Sequence, residues 1–254
     1  LNVSTIGNLN DFTLQKRSGD IIKISEALHE KKIAEIANKI HLRNGDVKVV
    51  LVAGPSASGK TTFSKRLGVQ LAVNGLRPFQ ISLDNYFVDR EKTPRDEFGE
   101  YDYEALEAID IEFFNQQLLE LFEGKEVQIP RFDFQLGCRF QNGKKLKLLP
   151  GDILIVEGIH GMNPNLIPKI DEKNTFKIFI SALTQISFDE HNYISTADNR
   201  LIRRMIRDSK YRGYPASETI KRWPSVRRGE EKNIFPFQEN ADVMFNSATL
   251  YELA

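Results

Sequence analysis

Only one cysteine, Cys138, occurs among the 254 residues, so no disulfide can form within the chain. A reducing, cytoplasmic setting is the expectation that follows. Neither sign of charge is in excess, since 35 Lys and Arg balance 35 Asp and Glu. No overall field therefore draws this stretch to nucleic acid or to an anionic membrane. No apolar run approaches the ~20 residues of a membrane span, and no signal peptide opens the chain. Repeats and low-complexity tracts are missing too. With 41% hydrophobic and 28% charged residues, the composition is that of a soluble globular protein. The length suits one large α/β domain, or one domain with an extension. The sequence opens on Leu1 rather than Met, and Ala248 to Ala254 stop inside a helix-like pattern. Both ends are those expected of a piece of a longer protein. Composition leaves self-association into a homo-oligomer open.

What is present is a phosphate-binding pattern. Gly54-Pro55-Ser56-Ala57-Ser58-Gly59-Lys60-Thr61 matches G-x-x-x-x-G-K-[ST] without a gap. Val47 to Ala53 before it reads as a buried parallel strand, and Thr61 to Val73 after it as a helix. That context turns backbone N–H groups from Ser56 to Thr62, and the positive end of the helix dipole, onto one polyphosphate. Gly54 and Gly59 permit close approaches that a Cβ would block. Lys60 would reach the β- and γ-phosphates, and the Thr61 hydroxyl would ligate Mg²⁺. ATP and Mg²⁺ are thus the expected cofactors. An ordinary Gly/Ser-rich turn is the alternative, and the flanking strand and helix disfavour it.

Residues 1–44 lie outside the nucleotide-binding pattern and read as an extension, with residues 45–254 as the nucleotide-binding domain. In the extension, Ser25 can cap a helix whose apolar stripe is Leu28, Ile33, Ile36, Ala37 and Ile40. The stripe must pack on the nucleotide-binding sheet or on a further domain. His29 and His41 read as surface or capping residues, since no metal-spaced partner accompanies them. Further on, Pro78 to Leu83 predicts a second strand that delivers Asp84 to the carboxyl end of the sheet, where ligands bind. A carboxylate there can orient an acceptor hydroxyl and take its proton; a helix cap or a surface Asp is the plainer reading. The charged stretch Val88 to Tyr103 predicts a loop, either a substrate cover or a solvated connector. Ala105 to Phe122 predicts an amphipathic helix. Phe132 and Phe134 share one face of an extended segment and suit a core or a stacking surface equally, while Asn142-Gly143 predicts a hairpin turn. Asp152 to Val156 is an apolar strand ending on Glu157, a position suited to Mg²⁺. His160 beside it reads as structural. Thr175 to Ser181 and Ala241 to Phe245 predict two more strands, and Pro215 to Trp223 a short helix. Arg200, Arg204 and Arg207 recur on one face of a predicted helix, with Arg212 just beyond. An arginine row is often a solvated face, but beside a P-loop it can close over phosphates.

Taken together, these pieces resemble the uridine/cytidine kinase branch of P-loop kinases, related to phosphoribulokinase. The matching segments are GPSASGKTT, Ser82 to Phe87, Tyr101 to Leu106, Pro130 to Phe134, Val156 to Ile159, and DNRLIRRMIRD followed by Arg212-Gly213. The resemblance implies a three-layer P-loop NTPase fold with a mostly parallel central sheet, a helical lid and a small substrate-covering hairpin. It implies an ATP-dependent kinase for the 5′-hydroxyl of a nucleoside, with residues 45–254 as the kinase domain. It makes Asp84 the general base, and assigns Asp102 to the ribose hydroxyls and Glu157 with Thr61 to Mg²⁺. Asp84, Tyr86, Asp102, Phe132, Phe134 and Arg204 would face the acceptor, and Arg204, Arg207 and Arg212 the ATP phosphates. Three departures stand out, two in the acceptor pocket and one in the lid. The branch has tyrosine where Phe132 stands, histidine where Gly137 stands, and a second lid arginine where Tyr214 stands. Such a site is expected to read the sugar well and the base poorly. Another sugar or polyol acceptor, or an ATP-operated regulatory module attached to an RNA-binding region, are the alternatives. The tail Trp223 to Ser247 resembles long bacterial uridine-kinase-like proteins with an N-terminal TGS and threonyl-tRNA-synthetase-like region. By that likeness an upstream region is expected, and any nucleic acid would be held there rather than by this chain.

Overall fold

The computed structural model describes residues 3–43 and 45–253. Leu1 and Ala254, on which the expectation about the chain's ends partly rests, and Asn44, at the expected 44/45 boundary, lie outside the described residues. The chain opens with helix α1 (Ile6–Leu14) and helix α2 (Ser18–His41), then strand β1 (Val49–Ala53) and helix α3 (Lys60–Val73). Strand β2 (Arg77–Ser82) and helix α4 (Ile111–Phe122) follow, then four short strands: β3 (Val127–Gln128), β4 (Arg131–Asp133), β5 (Cys138–Phe140) and β6 (Lys145–Leu146). Strands β7 (Asp152–Glu157) and β8 (Thr175–Ser181), helices α5 (Thr196–Tyr211) and α6 (Ala216–Asn233), and strand β9 (Val243–Asn246) complete it.

The central sheet has the order β2-β7-β1-β8-β9, and every pair in it is parallel. Alternation along β1 divides the core into two layers. Val49, Leu51 and Ala53 face a cluster with Phe114, Leu118, Leu154, Val156 and Phe179. Val50 and Val52 face the other side, with Phe63, Leu67, Ile153, Ile155, Ile178 and Ile180. Both faces are covered, which is why these strands read as continuous apolar runs. The sheet order reverses at β1, so the loop after that strand opens into the crevice where ligands bind in open α/β folds.

The apolar stripe of α2 belongs to the second layer, where Ile33, Ile36, Ala37 and Ile40 join Phe63 and Leu67 of α3. Arg66 reinforces the contact by donating to Glu30 at 2.8 and 3.0 Å. Three readings of α2, those of Ser25, Leu28 and His29, need correction. Ser25 lies inside the helix rather than capping it, and Leu28 is 47% exposed. His29 takes the buried place, its ring against Phe245 and its Nε2 3.2 Å from the Ala248 carbonyl. A helix alternates faces every three to four residues, and shifting the stripe by one residue exchanges Leu28 for His29.

The small strands form two nested antiparallel pairs, and the hairpin turn is not at the expected Asn142-Gly143. β4 pairs with β5, and β3 with β6. The tight turn therefore falls at Phe134–Gly137, where Gly137 has φ +72 and its N–H donates to the Asp133 carbonyl at 2.7 Å. Asn142-Gly143 links the two layers of the nest instead. Helix α4 starts at Ile111, capped by the Asp110 side chain accepting from Phe113 N, while Leu106–Ala108 form a separate 3-10 turn. Helix α6 runs to Asn233 through Pro224, ten residues past Trp223. No helix among the described residues is long and apolar enough to cross a membrane.

Candidate active site

The P-loop follows β1 and ends as Gly59, at φ +89, starts α3. A Cβ on Gly54 would come within 2.1 Å of the Ile180 carbonyl, so only glycine lets the loop lie this close to β8. Ala57 also takes a left-handed conformation, φ +59, an uncommon one for a residue with a side chain. Lys60 Nζ donates to the carbonyls of Gly54 and Pro55 at 2.9 and 3.1 Å, which holds the ammonium inside the curve of the loop. Burial pushes its pKa down, opposed by Glu157 and Asp84. The Ser58 hydroxyl is buried with no hydrogen-bond partner. With the first N–H groups of α3 around Thr61 and Thr62, this orphaned donor makes the cradle fit a polyphosphate.

Ser56 plays a different part from its neighbours. Its N–H is committed to Glu230 Oε1 at 3.0 Å, and its hydroxyl accepts from Arg204 Nη1 at 2.9 Å. It fastens the loop to α5 and α6. Beneath it, Arg200 and Glu230 form a fully buried ion pair with two bonds of 2.5 and 2.6 Å. The expectation that Arg200 lies in one phosphate-facing row with Arg204 and Arg207 is therefore corrected: Arg200 goes under the loop. Arg203, which the spacing did not single out, lines the cavity in its place.

That cavity, about 370 Å³, joins the P-loop to the aromatic segment. On the phosphate side stand Lys60, Thr61, Thr62, Asp84, Glu157, Arg203, Arg204, Arg207 and Arg212. One buried carboxylate, Asp208, gathers three of the arginines: Arg204 Nε at 3.3 Å, Arg207 Nη2 at 2.9 Å and Arg212 Nη1 at 3.7 Å. Arg212 also approaches Asp84 to 3.8 Å and stacks over Phe134 at 4.0 Å from the ring centroid. Burial and the neighbouring Arg207 lower Arg212 to about 10, which leaves it charged at neutral pH.

Asp84 sits in the 3-10 turn Leu83–Tyr86 directly after β2, and Glu157 closes the neighbouring β7. Burial, and the Asp84 carboxylate beside it, raise Glu157. Thr61 Oγ1 donates to Glu157 Oε1 at 3.1 Å. No group of three or more His, Cys, Asp and Glu side chains able to hold a metal ion occurs among the described residues. The hydroxyl–carboxylate pair does fit Mg²⁺, which takes few protein oxygens and completes its shell with phosphate and water. His160 is held neutral: burial lowers it to about 4, and Nε2 lies 3.1 Å from the Ala105 carbonyl.

Two residues assigned to the acceptor are elsewhere. Tyr86 is wholly buried, its hydroxyl donating to Gln117 Oε1 at 2.8 Å and its ring against Phe113 and Phe114. The 3-10 turn that aims Asp84 outward aims Tyr86 into the core. Asp102 does not line the cavity, because its Oδ1 accepts from Glu104 N at 3.1 Å and closes a local turn. Glu104 lines it instead. Phe132 and Phe134 do line it, 5.3 Å apart and joined by Phe87.

The pocket is also less apolar than the sequence predicts. Arg90, Tyr103, Tyr214, Glu218 and Arg222 all reach it. A side chain at Gly137 would meet the Arg90 guanidinium at 2.7 Å, and Arg90 Nη2 donates to the Phe134 carbonyl at 2.9 Å. Arg90 thus supplies a polar group where Gly137 supplies none. The available signal was the charge density of Val88 to Tyr103, a stretch that contains two of these groups, Arg90 and Tyr103, and is followed directly by Glu104.

The model of the phosphoribulokinase / uridine kinase family matches residues 49–254. A uridine kinase from Borrelia duttonii is 30% identical over 222 residues, covering 82% of this chain and 93% of its own. One from Staphylococcus epidermidis is 28% identical, covering 77% and 86%. Among solved structures, a protein proposed as the fructose transport system kinase of Silicibacter sp. TM1040 shares the fold with a TM-score of 0.55. It is 16% identical, with 84% of this chain and 98% of that one covered. With its P-loop, its five-stranded parallel sheet and the family match over most of its length, the chain belongs to the phosphoribulokinase/uridine kinase family of P-loop kinases.

Proposed function

We propose that the protein transfers the γ-phosphate of ATP to the 5′-hydroxyl of a ribonucleoside. The observation that carries the reading is the placement of Asp84 in one cavity with the P-loop lysine and the aromatic segment. Asp84 accepts the proton of the acceptor hydroxyl, whose oxygen forms the new bond to phosphorus as the bond to the ADP oxygen breaks. Lys60 holds the β- and γ-phosphates, and Arg204, Arg207 and Arg212 spread the charge of the transferring group. Mg²⁺, held by Thr61 and Glu157 when bound, would neutralise charge on those phosphates. Phe132 and Phe134, packed edge to face, give the acceptor an apolar wall. The kinases similar to this chain that carry the name uridine kinase support a nucleoside acceptor. The likeness of the tail to long bacterial proteins supports its working as the kinase part of a chain with an upstream TGS-like region.

A second reading, another sugar or polyol as acceptor, is favoured by Phe132 and Gly137, which lack the base-reading side chains of the nucleoside kinases. ADP release over a panel of nucleosides, hexoses and small polyols separates the two. Uridine or cytidine among the best acceptors supports the first reading. Turnover confined to a sugar or polyol establishes the second.

A further inference from the structure

Among the described residues, Glu104 is the one buried cavity-lining carboxylate with neither an assigned task nor a side-chain hydrogen bond. It is 7% exposed, yet lines the cavity beside the lid arginines. Among the described residues its oxygens accept no hydrogen bond, and Arg204 Nη1 stands 3.8 Å off, beyond bonding distance. A buried carboxylate in that condition has unused acceptor capacity aimed at whatever enters. Its position is built. Asp102 Oδ1 takes the Glu104 N–H, the Asp102 N–H donates to the Pro94 carbonyl at 2.8 Å, and α6 presents Gly229 against the side chain. Any Cβ at Gly229 would fall 2.5 Å from that of Glu104.

We infer that Glu104, rather than Asp102, is the carboxylate that binds the non-reacting hydroxyl groups of the acceptor, and that Asp102 is a positioning residue that aims it. The inference rests on the kinase reading of this site. A carboxylate presents two oxygens and can accept from both hydroxyls of a vicinal diol, which selects ribosyl over deoxyribosyl acceptors. The charged groups facing Glu104 are Arg204, Arg212, Glu230 and Asp102. Burial raises it to about 7 against the pull of Arg204, so the acceptor KM should fall as pH rises through that value.

The test compares kcat/KM for uridine, 2′-deoxyuridine and 3′-deoxyuridine in wild type, Glu104→Ala, Glu104→Gln and Asp102→Asn. Hexoses and small polyols with their deoxy analogues run alongside. Wild type should prefer the full diol by at least ~10²-fold, because losing one hydroxyl strands a buried acceptor. In Glu104→Ala that preference should shrink to within about tenfold, with the KM for ATP changed less than about threefold. Asp102→Asn should keep the preference, since its amide oxygen can still take the Glu104 N–H. If Glu104→Ala loses its cooperative unfolding transition, Glu104→Gln carries the comparison. Collapse of the preference in Asp102→Asn but not in the Glu104 variants overturns the inference, even with uridine as a good substrate. If nucleosides are inert but a polyol shows the Glu104-dependent preference, the nucleoside reading fails and the inference stands. A panel in which no hydroxyl compound is turned over ends both.

Discussion

At the scale of single residues, the site separates carboxylates by what surrounds them. Asp84 is 39% exposed at its side chain, whereas Glu157 is tied to the Thr61 hydroxyl and raised by burial. Asp84→Asn should therefore lower kcat by about 10²–10⁴-fold while the Kd for ADP changes little. Steady-state rates and ADP titration check it, and near-wild-type turnover removes Asp84 from the base role. Lys60 makes its bonds to loop carbonyls rather than to the core, so Lys60→Ala should abolish turnover and keep a cooperative thermal transition. Loss of that transition would make Lys60 structural. Glu104 has a thermodynamic signature as well. Its folded pKa, about 7, lies above the ordinary 4.5, so between these values the native state holds more protons than the unfolded one. Stability from this group falls as pH rises across that window and stays reduced above it. Glu104→Gln should then raise Tm at pH 8 and leave it nearly unchanged at pH 4, as scanning calorimetry at both pH values will show. An equal shift at both would mean the effect is packing. That Asp84, Lys60, Thr61 and Glu157 would meet in one place was legible, because a strand end or a motif fixes the position of each one. Tyr86 was misplaced because a 3-10 turn, unlike a strand, does not point alternate residues to opposite sides.

Between elements, the joint that matters is where α5 and α6 meet the P-loop. Arg200 and Glu230 are 1% and 0% exposed at their side chains, and Glu230 also takes the Ser56 N–H. Removing one partner strands a buried charge, so Glu230→Leu should cost roughly 3–5 kcal/mol of stability. The double variant Arg200→Met/Glu230→Leu should recover much of it. Denaturant titration measures both, and a single variant as stable as wild type would show the pair is dispensable. This joint was hidden from a linear reading for two reasons. Arginines at positions 200, 204 and 207 look equivalent on a helical wheel, and only the packing of α6 buries the first. Pro224 also reads as a helix end, yet Trp223, Val226, Gly229 and Glu230 continue one buried face past it. Pro224 is the ninth residue of α6, so the helix forgoes the bond an N–H there would make to the Ile220 carbonyl, and the buried face must offset that cost. The nested small sheet escaped for a similar reason. Its strands are two or three residues long, too short for a period to declare itself.

For the whole molecule, the layered sheet was the most legible feature, since apolar runs ended by Gly-rich or acidic residues leave few other folds. Residues 47–53 and 152–157 carry that pattern plainly. The partner of the first helical stripe was not legible, because a stripe states that it must be covered and not by what. The structure covers it with α3, in the core layer that α3 shares with the sheet: Ile33 is 1% exposed among Phe63, Leu67 and Val50. Ile33→Ala should accordingly cost about 2–4 kcal/mol, the usual effect of a cavity in a shared core. A cost under about 0.5 kcal/mol, typical of surface substitutions, would mean that α2 does not stabilise the domain.

We propose that this cavity phosphorylates a nucleoside hydroxyl with Asp84 as its base. The most direct measurement follows [γ-³²P]ATP with uridine and cytidine, resolving labelled product from free phosphate, for wild type and Asp84→Asn side by side. Label should appear in the nucleoside 5′-monophosphate, formed in step with ADP, at a rate that falls about 10²–10⁴-fold in Asp84→Asn. ADP formation that is independent of nucleoside, with all label in free phosphate, would contradict it.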